Sequence, residues 1–251
     1  MKTISFFNIK GGVGKTTSCL AFAQILHDTY HKRVLVVDID KQGNSTKSLG
    51  ANPKDFKYTS ADLLTNKDVI IKDAVIHTKY GIDVIPASFD LIKANQEVLL
   101  DSVRPQQVRF KKQLSPIKDE YDYCIFDFPV DINMAVINAL VVTDDVLIPI
   151  KVDNYAFEGL ENVISTIEDI KMFNDKLSLK GCFITMYVRS KLCESGFNEL
   201  DNSLGLQFLK TTIHQTVKVG ESTFYEPIMS YSPNCRAAKD YKELVAEYLA
   251  M

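Results

Sequence analysis

Short, unbroken apolar runs rich in β-branched residues recur along this chain, at residues 3–8, 33–38, 82–86, 123–127, 146–150 and 182–186, with helix-like stretches between them. This alternation limits the fold more than any other feature. A strand apolar on both sides of its pleat must be covered on both faces, as in a parallel sheet. Parallel neighbours need crossover connections, and helical spacing supplies them. Leu20, Phe22, Ala23, Ile25 and Leu26 follow the first run, 133–140 and 157–173 follow later ones, and 237–249 comes last. The pattern predicts an α/β fold, a doubly wound, mostly parallel sheet with helices on both faces. Residues 47–78 and 189–206 are the least patterned and read as variable loops with short helices. With 251 residues, no repeats and no Pro/Gly/Ser linker, a single domain over 1–251 is expected.

The formal net charge of −3 argues against a whole-surface footprint for nucleic acid, although a local basic patch is compatible with it. The five cysteines, Cys19, Cys124, Cys182, Cys193 and Cys235, are scattered and form no Cys-x-x-Cys pair for zinc or an iron–sulfur cluster. Reduced thiols and a cytoplasmic location are expected. The first residues hold only a brief apolar stretch before a glycine loop, unlike a signal peptide, and no run reaches the roughly 18 residues of a membrane span. No membrane association is expected.

The first run ends in Lys10-Gly11-Gly12-Val13-Gly14-Lys15-Thr16-Thr17. A glycine-rich loop between a buried strand and a helix lets backbone N–H groups converge on phosphate oxygens, and the helix N-terminus adds its dipole. Lys15 is placed to reach the β- and γ-phosphates, and the Thr16 hydroxyl to complete a magnesium shell. The generic Gly-x4-Gly-Lys-[Ser/Thr] pattern fails by one residue, because Ile9 stands where its first glycine should be and a second lysine, Lys10, follows. A carboxylate at the end of a buried strand beside such a loop can hold magnesium, usually through water, and Asp127 is so placed. Asp131 competes for that role.

The Lys-Gly-Gly-x-Gly-Lys-Thr variant resembles the deviant Walker A motif of the ParA/MinD superfamily of ATPases. Val37-Asp38-Ile39-Asp40-Lys41-Gln42-Gly43-Asn44 resembles that family's Asp-x-Asp-Pro-Gln-Gly-Asn motif, and Tyr123-Cys124-Ile125-Phe126-Asp127-Phe128-Pro129 its Walker B strand. Further similarity lies in Gly81-Ile82-Asp83-Val84-Ile85-Pro86-Ala87, in Tyr155-Ala156-Phe157-Glu158-Gly159-Leu160, in Val219-Gly220-Glu221-Ser222 and in Tyr225-Glu226-Pro227-Ile228. The resemblance covers most of the chain and is strongest to the Soj-like ParA partition branch.

What the resemblance implies is a magnesium-dependent ATPase using ATP and Mg2+. ATP would be bound by Lys10, Gly11, Gly12, Val13, Gly14, Lys15, Thr16 and Thr17, with Thr185 and Met186 as candidate base contacts. Lys10, Lys15 and Asp40 would serve catalysis. Asp40 would orient the attacking water, and Lys10 would cross a sandwich dimer to the partner's phosphates. Thr16, Asp38 and Asp127 would support the metal, with a structural role in the loop as the alternative for Asp38. Two departures touch the loops that sense the γ-phosphate: Lys41 replaces the usual proline, and Asp127-Phe128-Pro129-Val130-Asp131 replaces Asp-x-Pro-Pro-Ser. His214-Gln215-Thr216 also replaces the common Pro-Arg-Asn.

By the same resemblance the partners are a second copy when ATP is bound, a centromere-binding, ParB-like adaptor, and DNA bound without sequence preference, giving nucleoid association. DNA contact would fall to Lys218, Arg236 and Lys239, with Lys242 nearby, or to a second cluster of Arg104, Arg109, Lys111 and Lys112. The alternative function is a positioning or regulatory ATPase that binds a protein or a membrane instead of DNA. A membrane-binding relative would end in a basic amphipathic helix, whereas the last residues here are acidic and read as a packing helix. A nitrogenase-type reductase would need cysteines after the Walker B strand, and residues 127–138 contain none.

Overall fold

The computed structural model describes residues 1–153, 156–190 and 206–251. Tyr155, Cys193 and most of the unpatterned 189–206 stretch lie outside the described residues, as do the side chains of 156–158. Seven strands form one sheet: β1 (Lys2–Phe6), β2 (Val34–Asp38), β3 (Ile76–His77), β4 (Asp83–Ile85), β5 (Tyr123–Asp127), β6 (Asp145–Lys151) and β7 (Ser178–Thr185). Their order is β3-β4-β2-β5-β1-β6-β7, and every pairing is parallel except β3 with β4. The doubly wound expectation therefore holds. The short antiparallel edge strand was hidden within the unpatterned stretch, because two residues carry no periodicity.

The strands alternate their side chains between two apolar layers. Ile4, Phe6 and Ile125 face one layer, while Phe7, Cys124 and Phe126 face the other. The first layer is closed by α1 (Lys15–Asp28) and the last helix (Arg236–Leu249), with Phe6 edge-on to Phe22 at 4.8 Å. The second is closed by α4 (Leu91–Leu100), α5 (Arg109–Leu114), α6 (Met134–Val142) and α7 (Ala156–Ile170). Two short helices, α2 (Asn44–Ser48) and α3 (Ser60–Thr65), lie between β2 and β3. After β7 come α8 (Val217–Ser222), α9 (Ile228–Tyr231) and α10, the Arg236–Leu249 helix.

The central strands β1, β2 and β5 end together, so the loops that follow them meet at one edge of the sheet. Asp38 and Asp127, the last residues of β2 and β5, are register partners. Ligands of open parallel sheets bind outside the carboxyl ends of the strands. None of the helices in the described residues is long and apolar enough to cross a membrane.

Candidate nucleotide site

The loop after β1 is built by its glycines and held from below. Gly12 and Gly14 take φ of +69° and +88°, a left-handed backbone that a Cβ would strain, and Gly14 caps α1. Asn8 donates to the carbonyl of Pro149 at 2.9 Å and accepts the Lys10 N–H at 2.9 Å. The buried Thr185 hydroxyl lies 2.9 Å from the Val13 carbonyl oxygen and 3.2 Å from that of Ile150. Thr185 thus supports the loop, and its hydroxyl is engaged there rather than offered to a base. Met186, its neighbour, lines the cleft with a φ of +53°.

A cleft of about 630 Å³ opens above this loop. Its floor is Gly12 to Thr17, one wall carries Asp40, Asn44, Phe128 and Val130, and the far end is formed by Ile213, His214, Gln215, Thr216 and Val217. Backbone N–H groups at the start of α1 give it an anion-binding end. Lys15 is buried, its ammonium donating to the Lys10 carbonyl at 3.0 Å. Burial lowers its pKa, while Asp127, Asp40 and Asp131 favour its charged form.

Thr16 donates to Asp127 Oδ1 at 3.1 Å, and Ser45 donates to Asp127 Oδ2 at 2.7 Å. Asp127 is fully buried. Its pKa is raised, first by burial and then by the Asp38 carboxylate beside it. Asp131, the competing acid, is half-exposed and lies beyond this contact. Asp38 is also pushed up by burial, opposed by its hydrogen bonds. Its Oδ2 accepts the Thr46 hydroxyl at 2.7 Å and the Thr46 N–H at 2.9 Å, and its Oδ1 accepts the Asp40 N–H at 3.1 Å. These bonds make Asp38 a support of the loop between β2 and α2, beside the Asp127 carboxylate. Two adjoining buried carboxylates with hydroxyl oxygens around them form the hard, anionic donor set that magnesium prefers.

Lys10 stands at the head of this loop with its side chain partly exposed. Its ammonium donates to Asp153 in the same chain. Sequence pattern alone singles out neither Asp153 nor the supports Ser45 and Thr46. The two hydroxyl residues do follow directly on the Asp38 to Asn44 motif, and that adjacency is the signal that could have found them.

The basic clusters resolve differently. Arg109 is buried, bonding Asp101 at 2.9 Å and the Leu64 carbonyl at 3.0 Å, and Arg104 bonds Asp101 at 2.7 Å and the Thr65 carbonyl at 2.8 Å. Both arginines tie α3 to the α4–α5 connection, and burial removes Arg109 from the candidate DNA contacts. Lys218 pairs with Glu221 at 2.7 Å and Arg236 with Asp240 at 3.0 Å, while both cationic side chains stay substantially exposed. Lys239 is exposed, with no ion pair among the described residues.

A family model described as an AAA domain matches residues 1–179. The sporulation initiation inhibitor protein Soj of Bacillus subtilis is 35% identical over 258 residues, spanning 99% of this chain and 98% of Soj. The chromosome partitioning protein ParA of Caulobacter vibrioides is 30% identical over 255 residues, spanning 100% and 94%. The chain belongs to the ParA/MinD family of ATPases. Within that family it falls with the Soj and ParA partition proteins. The fold is similar to that of a solved structure, cobyrinic acid a,c-diamide synthase from Mycobacterium smegmatis with a bound ATP analogue and magnesium. Its TM-score is 0.86 at 26% identity, covering 99% of this chain and 94% of that one. The ParA/MinD ATPase described here keeps the phosphate loop and the strand-end acid at the same edge of the sheet.

Proposed function

We propose that the chain, acting as one unit over residues 1–251, is a partition ATPase whose Mg-ATP-bound form dimerises and binds DNA without sequence preference. The observation that carries this reading is the convergence on one cleft of the Gly11–Thr17 loop, buried Lys15, the Thr16–Asp127 contact and Asp40. Backbone N–H groups and Lys15 would bind the phosphates, as they do for other phosphate loops. Thr16 and Asp127 would hold Mg2+, which would neutralise charge developing on the phosphate oxygens, with Asp38 fixing the loop beside them. Asp40, held at the mouth of the cleft by its own N–H bond to Asp38, is the acid that would orient water.

Lys10 supplies the switch in this reading. Its pairing with Asp153 within one chain would be exchanged for a partner's phosphates when two ATP-bound copies meet. DNA would then be held by Lys239 and Lys242 on the exposed side of α10, and a ParB-like adaptor would stimulate turnover. Nucleoid association follows from the DNA contact.

Solution mass with Mg-ATP, with ADP and without nucleotide tests the switch. Wild type should dimerise with ATP only, Asp40→Ala should accumulate an ATP dimer, and Lys15→Ala and Lys10→Ala should stay monomeric. A dimer indifferent to nucleotide would reject the switch while leaving nucleotide binding standing. Retention on a nonspecific duplex at low salt, with ATP and with ADP, tests the DNA step, and no ATP-dependent retention would sink it.

A further inference from the structure

The two departures in the loops beside the phosphate end are not independent. Lys41, after Asp40, and Asp131, four residues after Asp127, stand 4.0 Å apart as an ion pair, both side chains partly exposed. They line a small pocket of about 140 Å³ with Ile39, Ile92, Asn95 and Pro129, between the loop after β2 and the loop after β5. Asp131 also accepts the Asn133 side-chain amide at 3.0 Å, and Asn133 caps α6 by accepting the Val136 N–H at 3.1 Å. The bridge therefore runs from the Asp40 loop to the start of α6.

Asp131 directly follows Val130, which lines the cleft with Asp40 and lies against Gly11 of the phosphate loop, so the loop after β5 carries a further carboxylate toward the side that already holds Asp127 and Asp40. A third negative charge on this side would oppose the terminal phosphate of ATP more than the shorter phosphate chain of ADP. Lys41 is the cation that meets it. Proline in place of Lys41 would leave Asp131 uncompensated, and serine in place of Asp131 would leave nothing for Lys41 to neutralise.

We propose that Lys41 and Asp131 are a positioning pair, a charge-compensated bridge between the Asp40 loop and the loop after Asp127 that sets the preference of the cleft for ATP over ADP. The inference rests on the nucleotide reading of the cleft given above. Lys41 acts through Asp131 and not by touching phosphate.

Isothermal titration of Mg-ATP and Mg-ADP into the full chain tests this in wild type, Lys41→Ala, Asp131→Asn, the double variant and the exchanged Lys41→Asp/Asp131→Lys. Lys41→Ala should lower the ATP-to-ADP affinity ratio by roughly two- to five-fold, the range of a partly exposed ion pair. Adding Lys41→Ala to Asp131→Asn should change that ratio no further, and the exchanged pair should restore it to within about two-fold of wild type. Three outcomes overturn the proposal: an unchanged ratio in Lys41→Ala, an equal loss of ATP and ADP affinity, or a Lys41→Ala effect that persists with Asn at 131. Failure of the wild type to bind Mg-ATP would instead refute the nucleotide reading itself, and the pair with it.

Discussion

Replacing Arg109 by methionine separates a structural arginine from a DNA contact. The side chain is 7% exposed and donates to Asp101, to the Leu64 carbonyl at 3.0 Å and to the Pro105 carbonyl at 3.2 Å. Methionine keeps most of the buried stem, so the loss is mainly that of polar partners. A buried carbonyl left without a donor costs about 1–3 kcal/mol, and the Leu64 oxygen would be in that position. The Pro105 carbonyl, which is only partly buried, adds less. A net loss of about 2–4 kcal/mol follows, or roughly 5–15 °C in Tm for a chain of this size. Urea unfolding followed by circular dichroism measures it, with exposed Lys112→Ala as the control, expected within about 0.5 kcal/mol of wild type. DNA retention of the folded Arg109→Met protein, compared at equal nucleotide saturation, should be unchanged. A stability loss below about 1 kcal/mol, or weaker retention by the folded variant, would refute the structural assignment.

Thr46→Val removes the hydroxyl that bonds Asp38 at 2.7 Å and accepts the Ala87 N–H at 3.0 Å. It should cost about 2 kcal/mol in urea unfolding and lower kcat for ATP hydrolysis, because the Asp40 loop loses its anchor. Gly14→Ala places a Cβ on a backbone with φ of +88° and should cost about 1–2 kcal/mol and weaken Mg-ATP binding, read by titration. Asp122 is held down to about 2 by its hydrogen bonds to Arg33. Because the folded value is the lower one, the stabilisation is present above pH 4 and disappears as pH falls toward 2. Asp122→Asn should flatten the wild-type fall in Tm over that window, and parallel curves would refute the coupling. Lys239→Glu should reduce ATP-dependent DNA retention and make its dependence on salt less steep, whereas Lys218→Ala should change it less, its charge being already paired with Glu221.

The sheet and phosphate loop were legible in the sequence because both are local patterns. An apolar run such as 123–127 has to be covered on both faces wherever it sits, and Gly12 and Gly14 mark backbone that a side chain would strain. Asp127 could be picked out for the same reason, as an acid that ends such a run. What lay beyond the sequence was pairing between distant residues. Nothing in the spacing says that Arg109 reaches back to Leu64, that Lys10 meets Asp153, or that Lys41 meets Asp131. A charged side chain in a sequence is a donor with no partner written beside it. Only the crossing of loops at the edge of the sheet decides whether it is spent on structure or left for a ligand. The sequence by itself determined a parallel sheet with a phosphate loop. The tertiary structure decided which charges are tied up, because ion pairs and hydrogen bonds depend on distances that chain order does not set.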